Sequence, residues 1–93
     1  MYPAAAIEPT TINILSPRNG ATVGNTFTIT YEILNGPKGH HAHVYLDGTY
    51  LKGFQGTFTH VAKGEHTITV KIADHDHKDA DTATDTIKVN VVE

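Results

Sequence analysis

From Asn25 to Leu34 the chain alternates without a break: Phe27, Ile29, Tyr31 and Ile33 fall on one side, Thr26, Thr28, Thr30 and Glu32 on the other. Successive side chains leave an extended backbone in opposite directions, so this period predicts a strand with one face in a core and one in water. The pattern recurs over 41–47, where Ala42, Val44 and Leu46 point inward and His41, His43 and Tyr45 outward. Over 66–73, Ile68, Val70 and Ile72 alternate with Thr67, Thr69 and Lys71, and over 84–92, Ile87, Val89 and Val91 form the apolar row. Shorter strands are predicted at 11–15, 49–52 and 57–61. Turn chemistry separates them: Ser16-Pro17-Arg18-Asn19-Gly20, Asn35-Gly36-Pro37-Lys38-Gly39, Ala62-Lys63-Gly64-Glu65, and Asp47-Gly48, a tight-hairpin signal. Pro3 and Pro9 bracket Ala4–Glu8 and prevent a helix of useful length there. The expectation is an N-terminal arm, residues 1–10, followed by one all-β domain, residues 11–93, built as an antiparallel β-sandwich of about seven strands.

Composition narrows the chemistry. Ninety-three residues hold one core, and Thr occupies fourteen positions, which favours extended chain because a branched Cβ restricts χ1. Seven Lys and Arg against ten Asp and Glu give a net charge of -3, with the cations scattered singly, so nucleic acid is not an expected partner. No apolar stretch approaches the roughly 20 residues a membrane-spanning helix needs. The absence of Cys removes thiolate metal sites and cysteine nucleophiles, and the single Met argues against a thioether Cu(I) site. The one serine, Ser16, precedes a proline in a turn, which leaves a serine-nucleophile enzyme little to work with.

The run Gly64-Glu65-His66-Thr67-Ile68-Thr69-Val70, then Ala73-Asp74 and Asp85-Thr86-Ile87-Lys88-Val89, resembles the last two strands of bacterial immunoglobulin-like and fibronectin-III-like modules. The resemblance spans about residues 11–92 and implies strands A (11–15), B (25–34), C (41–47), C′ (49–52), E (57–61), F (66–73) and G (84–92). It specifies an architecture and leaves activity open. A looser similarity, to small exported His-rich domains of unknown function, rests on His40-His41-Ala42-His43-Val44-Tyr45-Leu46-Asp47, the Gly-Glu-His-Thr turn and the late Asp-His-Asp-His. It implies export, hence an extracytoplasmic location, and metal handling.

In such a sandwich the B–C and F–G loops share one end, because C and F are antiparallel neighbours. His40, His41 and His43 open strand C, and strand F runs into His75 and His77, so five of seven histidines converge there. His41 and His43 lie two apart on the outer face of C; continuing the parity of F places Ala73, His75 and His77 on the same face. Three or four imidazoles suit Cu(II), Zn(II) or Ni(II). His41, His43, His75 and His77 are the proposed ligands, and His40, on the loop side, is a lesser one. The segment Asp74–Asp81 with Asp85 holds five of the ten acids. Without Gly at the sixth loop position or Glu at the twelfth it is not an EF-hand, and Ca(II) binding there ranks behind the histidine site. His66 occupies the place of a corner tyrosine and is expected to be structural, while His60 has no assigned partner.

The first functional reading is therefore a non-enzymatic, extracytoplasmic Cu(II)- or Zn(II)-binding module. The alternative is a structural or adhesive module, with neighbouring domains or self-assembling through its N-terminal arm. A third, carbohydrate binding, rests on Tyr45 and Tyr50, with Phe54 assigned to the core.

Overall fold

The alternation at 27–34 takes the predicted form: Ile29 is buried, Phe27, Tyr31 and Ile33 are half-buried, and Thr28, Thr30 and Glu32 are exposed. A computed structural model describes residues 10–35, 41–73 and 79–92, with the side chains of 73 and 79–82 excepted. Among them are nine strands: β1 (Thr11–Ser16), β2 (Ala21–Val23), β3 (Phe27–Thr28), β4 (Thr30–Leu34), β5 (His41–Leu46), β6 (Thr49–Tyr50), β7 (Thr57–Phe58), β8 (Gly64–Ala73) and β9 (Asp79–Val91). The fold is all-β, an immunoglobulin-like sandwich.

One layer is a five-stranded sheet in the order β2-β9-β8-β5-β6. The other joins the pairs β1-β4 and β3-β7, since β3 and β4 are two parts of one extended run. The inward rows of both layers meet in a single core that holds Ile12, Ile29, Val44, Phe58, Val61, Ile68, Val70, Ile72, Ile87, Val89 and Val91. Ile68, Val70 and Ile72 of β8 are fully excluded from solvent. Every buried side chain among the described residues is apolar.

Several boundaries differ from the sequence expectation, each for a tertiary reason. The predicted second strand is interrupted at Ile29, whose N–H donates to the Gly56 carbonyl (2.9 Å). The predicted strand over 57–61 ends at Phe58, because His60 turns the chain in the left-handed region (φ 54°) before Val61 is buried. The strand expected from 66 begins at Gly64, paired with Val91, and the one expected from 84 begins at Asp79, paired with Ala73 across a register shift. The 49–52 strand is limited to Thr49–Tyr50.

The strand not foreseen is β2, which runs parallel to the end of β9 in the register Ala21↔Val89, Thr22↔Asn90, Val23↔Val91. The chain thus crosses from one layer to the other between β1 and β2. Two side chains fasten this crossing to β9. Asp85 accepts the N–H of Ile14 (2.7 Å), where β1 bulges between Ile14 and Ser16, and Asn19 accepts the N–H of Lys88 (2.8 Å).

Candidate functional site

The hairpin of β5 and β6 builds most of the site. Asp47 and Gly48 both have positive φ (51° and 85°), the geometry of a two-residue turn whose twist matches that of its strands. It sets Leu46 opposite Thr49 and Tyr45 opposite Tyr50. On the other side β5 pairs with β8, so His41 lies opposite Ala73, His43 opposite Lys71 and Tyr45 opposite Thr69.

A chain of ring contacts follows. His41 and His43 have near-parallel rings (5°) with centroids 6.3 Å apart. His43 packs on Tyr50 at 4.7 Å, Tyr50 on Tyr45 at 5.5 Å, and the Lys71 ammonium sits 5.0 Å from the centre of the Tyr45 ring. His41 and Tyr50 are exposed, while His43, Tyr45 and Lys71 are half-buried.

Of the five proposed metal ligands, the structure places His41 and His43 together on the outer face of β5, as their spacing required. His40, His75 and His77 lie outside the described residues, and so does most of the acidic run considered for Ca(II). Among the described residues no three His, Asp or Glu side chains gather as a metal-holding group.

His66 is structural. Its Nδ1 lies 2.5 Å from the Asp47 carboxylate and its Nε2 2.6 Å from the Ala62 carbonyl. Both partners accept, so the ring satisfies both only as imidazolium, donating from each nitrogen. The bond to Asp47 and then that to Ala62 raise the pKa of His66 above its ordinary 6.5. The N–H of Thr67, donated to Asp47 Oδ1 at 2.8 Å, and then His66 hold the Asp47 carboxyl below its ordinary value. Nothing in the sequence joined these two residues beyond the turn signal at Asp47-Gly48.

Near this clasp a cleft of about 620 Å³ opens between the hairpin and residues 57–62, with Leu51, Phe54, Phe58 and Val61 among its walls. Phe54 belongs to the core, as expected, stacked toward Phe58 (4.5 Å), which in turn stacks on Phe27 (5.0 Å). The aromatic strip on the outer face is thus Tyr45 and Tyr50 extended by histidines, without Phe54.

No family model matches the chain, and no curated protein matches its sequence. Among solved structures it is similar to the fibronectin(III)-like modules of Clostridium thermocellum CbhA, with a TM-score of 0.59 at 20% identity. The match covers 86% of this chain and 94% of that one, and it places the fold among fibronectin-III-like β-sandwiches.

Proposed function

We propose that this fibronectin-III-like sandwich is a structural or adhesive module of an extracytoplasmic protein, working through its surfaces beside neighbouring domains or copies of itself. The observation that carries the reading is the match over 86% of the chain to modules that share its layered fold. The entirely apolar set of buried side chains supports it, since the polar chemistry of the described residues then lies on the surface. Such a module needs no catalytic group.

Residues 1–10 lead directly into β1, which borders its layer with β4 as its one sheet neighbour among the described strands. An edge strand of this kind offers backbone groups to an added strand, apart from the Ile14 N–H, which Asp85 already accepts. The N-terminal arm of a second copy is the proposed addition. Sedimentation velocity on the chain with and without residues 1–10 tests it: loss of assembly on truncation is expected, and an unchanged distribution would refute the self-assembly.

The near-parallel imidazoles of His41 and His43 favour a second reading, a surface site for Cu(II) or Zn(II), with His75 and His77 as further ligands and His40 behind them. Calorimetric titration at a pH where imidazole is neutral should show saturable, near-stoichiometric binding that a His41→Ala/His43→Ala double variant abolishes. Weak binding indifferent to that variant would sink the metal reading.

A further inference from the structure

On either side of β7 the chain runs outside the strand ladders, and the two departures enclose a concave space. After Tyr50 the Leu51 N–H still donates to the Val44 carbonyl (2.9 Å), but Gly53 and Gly56 then take positive φ (75° and 106°) and let Phe54 pack against the core. After Phe58 the left-handed His60 turns the chain until the Val61 N–H donates to the Asn25 carbonyl (3.0 Å). Between these segments lies the cleft of about 620 Å³, inside the range of about 300–1,000 Å³ that holds one small molecule. Leu51, Phe54, Phe58 and Val61 give it apolar walls, and Lys52 and His60 also line it.

His66 holds this space to one shape. Its Nδ1 bonds the Asp47 carboxylate in the turn of the β5–β6 hairpin, and its Nε2 bonds the Ala62 carbonyl in the facing wall, so one ring ties the two walls together. A site fastened before anything enters it spares the ligand an ordering cost. Among the described residues the ionisable lining is Tyr50, Lys52, His60 and His66, without a carboxylate. The four acids with described side chains are engaged or face away. Asp47 is taken by His66 and the Thr67 N–H, and Asp85 by the N–H groups of Ile14 and Thr86. Glu65 lies on the other face of β8 from His66, 4.0 Å from Lys88, and Glu32 is exposed on the outer face of β4. The backbone of Asp79 pairs with Ala73, at the opposite end of β8 from His66. No described carboxylate lies within ion-pair reach of the Lys52 ammonium.

We propose that this cleft binds a small apolar carboxylate, with its hydrocarbon body against Leu51 and Phe54 and its carboxylate at the Lys52 ammonium. The concave volume selects a small molecule over a protein partner, whose footprint is typically about 800 Å² on each side. Aromatic and aliphatic walls select an apolar body, and a cation in an acid-free lining selects an anionic head group over a neutral or cationic one. The site goes beyond the structural role and is independent of arm-mediated assembly, since no residue of β1 lines the cleft.

The test is a titration of phenylbutyrate into the isotope-labelled chain, followed through its backbone amide shifts. Saturation is expected with a dissociation constant of about 0.1–3 mM, and with the largest shifts at residues 51–54 and 57–62. Lys52→Met should weaken binding about two- to fivefold, Lys52→Arg should change it less than about twofold, and phenylbutylamine should bind at least about fivefold more weakly than the acid. Leu51→Ala, which removes part of the apolar wall, should weaken it about three- to tenfold. Thermal midpoints of the variants confirm that each is folded. No saturation by about 20 mM, shifts centred outside the cleft, equal affinity for the amine, or affinity unchanged in Lys52→Met would each overturn the proposal.

Discussion

The Asp47 carboxylate lies 2.5 Å from Nδ1 of His66, joining the turn between β5 and β6 to the start of β8, while Nε2 of the same ring reaches the Ala62 carbonyl. Because the folded pKa of His66 exceeds 6.5, its contribution to stability is complete below about 6.5 and is lost as pH rises through the folded value. Asp47, lowered from 3.8, contributes fully above about 3.8 and loses that contribution as pH falls through its depressed value. The clasp is therefore complete between those two ordinary values. Urea midpoints should fall from about pH 5.5 to about pH 9 in the parent, and the fall should shrink in His66→Asn. At the lower pH, His66→Ala is expected to cost about 1–2 kcal/mol, with the half-exposed Asp47 limiting the loss.

Asp85 is the second polar fastening. Its Oδ2 accepts the Ile14 N–H at the bulge of β1 and its Oδ1 the N–H of Thr86. Asp85→Ala leaves the half-buried Ile14 donor without that acceptor, at a cost of about 1–3 kcal/mol in chemical denaturation. Asp85→Asn, which keeps an acceptor oxygen, should lose about half as much or less.

Ile68 and Ile72 are fully buried in β8, the strand between β5 and β9. Ile68→Ala removes apolar contacts and leaves a cavity, for about 2–5 kcal/mol out of a total of about 5–15 kcal/mol expected of a single domain. A marked drop in thermal midpoint is expected. Leu15→Ala, at a side chain 52% exposed, should shift stability by about 0.5 kcal/mol or less.

At Gly48 an added Cβ would meet nothing within 4 Å, so the penalty of Gly48→Ala comes from the backbone alone, at φ 85°. It should cost about 1–2 kcal/mol. Urea denaturation reads the loss as a lower midpoint.

The outer row His41, His43 and Tyr45 was legible because strand parity is a property of the backbone itself, independent of the partner strand. Tyr50 joined it through the Asp47-Gly48 turn, a local signal that fixes a two-residue hairpin register. Lys71 was not legible as a neighbour of His43 and Tyr45, since its position depends on how β5 registers against β8. The end of the 57–61 strand at Phe58 was not legible, since the left-handed turn at His60 is what lets Phe58 and Val61, residues of unlike parity, reach the same core.

By itself, then, the sequence determined an all-β sandwich, the side of each long strand that enters the core, and the tight hairpin beneath the outer tyrosines. Those follow from short-range stereochemistry and from the burial of alternating apolar side chains. Tertiary structure alone decided that β2 lies parallel to β9, that Ile29 leaves the strand ladder for Gly56, that Asp85 holds Ile14, and that His66 closes on Asp47. Each of these joins groups far apart along the chain, 71 residues for Asp85 and Ile14, so the bond exists only once the layers have packed.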